Sequence, residues 1–412
     1  MLKAGALYFS VVIAFFIAVI CASLILMAGH YRNGYLKELR RIRLVNNLES
    51  GQARVLVEDV GSGYGSSLID LYGDGKDSLM LFREAWGAFD LATVKSFISI
   101  DTLSSAFLIG LDAKTDSVAL YLSDEDRPLA LSGDTRITGD VYIPKSGMRK
   151  SYAEGRPFTG KEMVNGKPYD SGRKLKAISE QGLTRLFREF ERDLSEMPVL
   201  PNEDLSVSFM DSIARFRVEP EQILQNKYQG HMALYADTTI VLSAASHLDN
   251  VLLFANVIVV EKGFKGNCQL FVRDSILVKE GSLLRYPSVI GLLAGEKLVG
   301  QGKVTFENGV HFDGVLLAVE ERQTKVPIIV STGESNVISG EVYVDGIFKM
   351  SKGFKLNGKV SCNRFMMQTK VSLYENFLID VTINRRARSM YYLSPGILTD
   401  QSKTRKVLKW LN

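Results

Sequence analysis

The chain has 412 residues, 46% of them hydrophobic and 23% charged, with 50 Lys and Arg against 46 Asp and Glu. Such a composition supports a sizeable buried core and excludes a disordered or fibrous chain, and the length corresponds to two or three domains. A net charge of +4 over so large a surface gives no reason to expect a nucleic-acid partner, and three cysteines exclude a disulfide-rich scaffold.

The first element runs from Ala4 to Gly29. Its ALYFSVVIAFFIAVICASLILMAG segment, about 24 residues without charge or proline, spans a hydrocarbon core of roughly 30 Å at about 1.5 Å per residue. It predicts a single-pass membrane anchor through residues 4–29. A cleavable signal peptide, using the small residues between Ala22 and Ala28, is the alternative. Cys21 follows Ile20, where a lipoprotein signal requires a small residue, so lipidation there is discounted.

Arg32, Lys37, Arg40, Arg41 and Arg43 crowd behind the anchor. They read either as contacts to anionic headgroups, worth roughly 1 kcal/mol each near the surface, or as a solvated helix face. Taken alone, the positive-inside rule places the large domain in the cytoplasm. The segment continues as a polar helix, LKELRRIRLVNNLESGQARVLVED, with Leu36, Leu39, Ile42, Val45 and Leu48 near heptad spacing. The short tail, apolar helix and amphipathic continuation together resemble the N-terminal spine of type IV pilins and pseudopilins over about the first 55 residues. That resemblance implies an exported domain and leader cleavage after Gly5. Cleavage there would put Ser10 at the fifth mature position, where most pilins carry glutamate, so the likeness is to a tip or accessory subunit rather than a major one.

Gly61, Gly63 and Gly65 read as a hinge. SLIDLYGDGKDSLMLFREAW predicts two strands joined by a tight turn at Asp74 and Gly75, and FISIDTL, SAFLIGL and SVALYLS predict further strands of an antiparallel sheet. From Leu129 the texture becomes coil-like, with Ile137, Val141 and Ile143 set for inward alternation. An amphipathic helix is predicted around Leu183, Leu186, Phe187, Phe190 and Leu194, capped by Ser179 and stopped by Pro198 and Pro201.

Short strands with Gly, Asn or Asp between them then recur to about Ile383. An antiparallel sandwich gives that spacing too, but the repeated V-x-x-D-G and G-K-V pieces favour a parallel β-helix. KTRKVLKWLN predicts a short closing helix. The expected fold is therefore mainly β. Residues 1–60 form a transmembrane anchor and helical stalk, 61–128 a small β-sheet region, 129–235 a mixed region, 236–395 a parallel β-helix (β-solenoid), and 396–412 a basic tail. The blocks IDLYGDGKDSLML, LALSGDTRITGDVYIPKSG and VIVVEKGFKGNCQLFVRDSILVKEGSLLRYPS resemble an uncharacterised family of membrane-anchored β-helix proteins from Bacteroidota, which brings no assigned activity.

Sites are sparse. His30, His231, His247 and His311 lack ligand spacing, there is no G-x-S-x-G elbow, and no catalytic, cofactor or metal residue is assigned. Asp70, Asp74 and Asp77 offer oxygen ligands to calcium, but a type I′ turn explains them as well. Asp249, Asp274, Asp313 and Asp345 would line one face if the coil were a glycan-cleaving enzyme, and each also suits a turn. Cys268 and Cys362 read first as buried free thiols, with a disulfide between them as the alternative. Six Asp-[Ser/Thr] triplets, at Ser78, Thr102, Ser117, Ser212, Thr238 and Ser275, resemble the periplasmic O-glycosylation motif of Bacteroidota, where average composition gives about one or two.

The leading expectation is a non-enzymatic, inner-membrane, single-pass envelope protein with a periplasmic domain, an accessory pilin-like subunit with protein partners or self-association. A cytoplasmic, membrane-tethered scaffold resembling bactofilins, which would polymerise through open ends, is the alternative. A glycan-binding or glycan-cleaving β-helix, marked by a groove with aromatics such as Tyr343 or Tyr374, is the third.

Overall fold

The structure is a computed structural model that describes residues 3–57, 65–73, 75, 77–220, 222–295, 300–321, 326–369, 372–398 and 404–411. The chain is mainly β with one long N-terminal apolar helix. It divides into two compact units, Met1–Arg83 with Thr93–Ser105, and Glu84–Ala92 with Ala106–Asn412.

In the first unit, helix α1 (Lys3–Val57) is continuous over 55 residues. Strand β1 (Gly65–Asp70) pairs antiparallel with β2 (Asp77–Trp86), Asp70 facing Ser78, as the sequence leads one to expect. Asp74, Gly61 and Gly63 lie outside the described residues. Strands β3 (Phe89–Ile98) and β4 (Asp101–Leu111) follow. The FISIDTL run is therefore not one strand: Ser99, at φ 55°, breaks it into the turn between β3 and β4.

The second unit holds a closed parallel sheet with extra strands, an arrangement compatible with a β-solenoid. Its register decides between the parallel and antiparallel expectations. His247–Val260 pairs in parallel with Lys265–Val278, and Val337–Met350 with Lys355–Gln368. Partners such as Lys265 and Leu283, or Val337 and Lys355, lie eighteen residues apart, one layer of the stack. Two layers are longer, Leu283 and His311 being twenty-eight residues apart and His311 and Val337 twenty-six.

Like side chains therefore stack. Leu234, Leu253, Leu270, Ile290, Leu316, Val342, Val360, Leu120 and Val141 are successive register partners, and all are buried. Fully burying each is worth roughly 1.5–3 kcal/mol, which makes this column a principal source of stability. Its order is not chain order. Val118–Leu122 pairs with Val360–Cys362, so an early segment continues the stack where the late one leaves it. The parallel stacking thus extends beyond residues 236–395 in both directions, from Leu205 at one end to Pro168–Asp170 at the other.

At one bend of each layer, backbones approach closely. Gly314, Gly340 and Gly358 are register partners at φ 157°, 144° and 158°. A Cβ at any of them would stand 1.8–1.9 Å from the carbonyl oxygen of the layer before. Glycine is required there by space as well as by dihedral.

Neighbouring segments extend the stack near each end. At one, Phe158, Met163 and Val164 pack against the core. At the other, the Leu200 N–H donates to the Arg217 carbonyl and the Arg217 N–H to that of Pro198. The second helix, α2 (Glu180–Glu189), is capped as expected, Ser179 Oγ accepting from the Gly182 N–H. It ends well before Pro198, because the Asp193 carboxylate captures the Ser195 N–H in a turn and Leu194 leaves the helical register. The C-terminal segment is no helix. Arg405–Trp410 is a strand pairing antiparallel with Phe107–Leu111, with a register shift between Val407 and Lys409.

Candidate functional site

Helix α1 is the most distinctive element chemically, and its two halves differ. From Leu7 to Met27 the apolar side chains are bare: Leu7, Phe9, Phe16, Ile25 and Leu26 are each at least 60% exposed. By length and composition this is a helix able to cross a membrane, or a signal sequence. Leaving so much apolar surface in water is unfavourable, so the half demands a lipid or protein environment.

The second half seats on its own sheet. Leu44, Asn47, Leu48, Gly51 and Val55 are buried, spaced three and four apart along one stripe. A Cβ at Gly51 would stand 2.7 Å from Val94 Cγ1 and near Leu79 and Leu81, so glycine lets the helix lie close. The seat is polar at one point: Asn47 Nδ2 donates to Asp77 Oδ2 at 3.1 Å, the buried Asp77 carboxylate also pairs with Arg43, and the Arg43 guanidinium lies 4.9 Å over the Tyr72 ring. Of the expected heptad positions Leu48 belongs to the seated stripe, whereas Leu36, Leu39, Ile42 and Val45 remain 36–49% exposed, because the stripe that meets the sheet lies one step round the helix.

The basic patch is divided in the same way. Arg43 is bound to Asp77 and Arg40 to Asp101 at 3.4 Å, while Arg32, Lys37 and Arg41 stay exposed with no ion-pair partner among the described residues. Gly5 lies exposed within α1.

The structure does not gather the six triplet residues into one site. Thr102, Ser117, Ser212 and Thr238 are exposed, Ser78 and Ser275 half-buried within strands. Ser117 Oγ donates to Asp140 Oδ2 at 2.5 Å, which holds the Asp140 carboxyl below its usual range.

Asp70 accepts from the N–H groups of Tyr72, Gly73 and Gly75, so it serves the turn, while Asp77 serves Arg43 and Asn47. Among the described residues no cluster of His, Cys, Asp and Glu is arranged to hold a metal. The four aspartates of the enzymatic reading are not on one face. Asp249 and Asp313 sit in the strand segments that open a layer, Asp249 held by Lys409, whereas Asp274 and Asp345 lie near a later bend, Asp345 accepting from Asn363. Tyr343 and Tyr374 do not share a groove either, Tyr343 being tied to the Lys176 carbonyl and Tyr374 packed on Phe377. Cys268 and Cys362 are buried free thiols, and burial pushes both above the usual thiol range.

Four features lie outside the sequence reading. The column Tyr121, Tyr142 and Tyr169 is stacked at ring separations of 5.5 and 5.1 Å. The cleft beside it, lined by Glu341, Tyr343, Lys359 and Ser361, has a volume of about 50 Å³, room for a water or two but not for a sugar. Next to it the buried Arg388 donates to Glu341 at 2.6 Å. Ser394 donates to the same oxygen, and Arg385 to the Ala113 carbonyl. Burial and the neighbouring Arg388 push Arg385 below its usual range. Their common effect is to fasten the segment after Arg385 along the stack. Finally, His231 is buried between Trp86 and Phe209, its Nδ1 2.8 Å from the Asp211 carbonyl. Only the periodic positions in this set, the tyrosines, had a pattern that a register could have exposed.

Comparison with known proteins adds little. No family model matches the chain, and no curated protein does. Among solved structures, the crystal structure of the competence-associated pilin ComZ from Thermus thermophilus is similar at 10% identity, covering 84% of this chain and 85% of that one with a TM-score of 0.24. A score that low carries no argument.

Proposed function

We propose that this chain is a membrane-anchored envelope protein without enzymatic activity, a pilin-like accessory subunit in which α1 is the membrane spine and a β-helix is the exported part. One observation carries the reading: α1 is a single helix whose first half is bare and apolar and whose second half seats on an antiparallel sheet of its own unit. That division of labour suits a segment that anchors in lipid and rises from it as a rigid stalk.

A further observation favours an external domain. Thr102, Ser212 and Thr238 present exposed hydroxyls for O-glycosylation. Cleavage after Gly5 belongs to the same reading.

Protease added to intact spheroplasts tests the proposal. Digestion of the large domain with the membrane sealed, together with an intact mass that starts at Ala6, is the expected result. Protection until lysis overturns it.

A further inference from the structure

One histidine sits where its neutral form cannot satisfy its surroundings. His231 is 3% exposed, and its ring lies between Trp86 and Phe209 with centroids 5.0 and 5.1 Å away. An acceptor faces each ring nitrogen. Nδ1 is 2.8 Å from the Asp211 carbonyl oxygen, and Nε2 is 3.3 Å from Glu84 Oε1. A neutral imidazole has one N–H and one lone pair, so either tautomer turns a lone pair on an acceptor oxygen. Only the imidazolium donates from both nitrogens at once. The aromatic neighbours favour the same form, because their π-systems attract a cation. Burial works against the charge, and the Glu84 carboxylate offsets it.

The pair joins two defined pieces of the second unit. Glu84 and Trp86 belong to the tip of the β2–β3 hairpin, whereas His231 lies in the stack, between the strands Lys227–Gly230 and Met232–Tyr235. The same tip has a second fastening without a titratable group: Gln269 Nε2 donates to the Trp86 carbonyl and the Ala88 N–H donates to Gln269 Oε1, both at 2.9 Å. Other charges on the elements around the ring are engaged elsewhere. Arg83 alternates to the other face of β2. Asp211 offers its carbonyl and is itself exposed, Arg215 acts on Glu189 and Tyr235, and Asp249 is taken by Lys409.

We infer that His231 and Glu84 form a proton-operated clasp on the hairpin tip. The clasp is closed while the ring carries its second proton. As the pH rises and that proton leaves, one N–H faces two acceptors and the link to Glu84 or to Asp211 is given up. Gln269 keeps the tip attached, so the change is a local loosening and not an unfolding. On the exported reading this domain meets the pH of the medium, a point that the spheroplast assay decides independently.

The test uses the full-length chain in detergent carrying Trp410→Phe, which leaves Trp86 as its single tryptophan. A protonated imidazole quenches a neighbouring indole, so Trp86 emission reports the charge on the ring. The inference expects emission to rise by at least half between about pH 5 and about pH 8, and to stay flat once His231→Gln is added. Glu84→Gln removes the counter-charge, and its amide N–H can meet a neutral Nε2, so the midpoint should fall by at least half a pH unit. Hydrogen exchange of residues 84–92, corrected for the intrinsic effect of pH, should quicken at least threefold across the transition in the parent chain but not in Glu84→Gln. Emission that ignores pH, a transition that survives His231→Gln, a midpoint that Glu84→Gln leaves in place, or exchange that does not follow the transition overturns the inference.

Discussion

Replacing Gly340 by alanine isolates the close approach between layers. The new Cβ would stand 1.9 Å from the Gly314 carbonyl oxygen, 2.9 Å from its carbon and 3.1 Å from the Tyr392 ring, at φ 144°. The first two atoms are backbone in a hydrogen-bonded strand, so no side-chain rotation relieves the clash. Adopting a dihedral reserved for glycine costs about 1–3 kcal/mol. Forcing a methyl into a filled space costs about 1–3 kcal/mol more. The variant should therefore lose about 2–6 kcal/mol. Gly281 is the control, since at φ 68° its added Cβ meets nothing within 4 Å. Alanine there pays only for the left-handed dihedral, about 1–2 kcal/mol. Denaturant unfolding of the detergent-solubilised chain, followed by far-UV circular dichroism, measures both. If Gly340→Ala proves no more destabilising than Gly281→Ala, the argument from layer contact is wrong.

Other perturbations separate the remaining interactions. Arg388→Met leaves the buried Glu341 carboxylate with only the Ser394 hydroxyl and should cost about 3–5 kcal/mol, whereas Arg388→Met with Glu341→Leu should recover most of that in the same unfolding assay. Gly51→Leu should lift α1 from β2 and β3, read as faster proteolysis within α1 than in the unmodified chain. Burial pushes the Glu189 carboxyl up, but hydrogen bonds from Arg192 and Tyr235 outweigh it and hold the carboxyl below its ordinary range. A lowered folded value gives stability that is present above the ordinary glutamate value of about 4.3 and is lost as the pH falls through the folded one. Tyr235→Phe should therefore be less stable than the unmodified chain at neutral pH by about 1.5–3 kcal/mol, and the difference should shrink toward about pH 3. A gap that widens in acid contradicts that assignment.

Local chemistry was readable from the sequence, and remote pairing was not. The apolar run of α1 and the Ser179 cap each depend on neighbours a few residues away, and both stand where expected. The seated face of α1 was misread because two apolar stripes compete. Leu36, Leu39, Ile42 and Val45 have the better periodicity, while Gly51, the residue that permits contact, adds nothing to an apolar pattern. Asp313-Gly314 and Gly358-Lys359-Val360 supply two of the three stacked glycines, while Ser288 holds the same position in the layer before Gly314. KVLKW was taken for helix because its lysines suit either period. Its partner Phe107–Leu111 lies about three hundred residues away, where no local signal reaches. Which of the six triplets stand exposed, as Thr102, Ser212 and Thr238 do, depends on the register and is not written in the triplets themselves.

Asp140–Ile143 rests on Val118–Leu122, and Val118–Leu122 on Val360–Cys362, which the ribosome makes more than two hundred residues later. Until then these early strands carry apolar side chains and unpaired backbone edges with nowhere to place them, the condition in which nascent chains aggregate. Folding of the stack must therefore proceed with its first-made piece added near the end, and a chain that stops short of Lys355 leaves those strands stranded. The order of synthesis and the order of assembly run against each other, and such a protein should depend on a holding chaperone in the compartment where it folds.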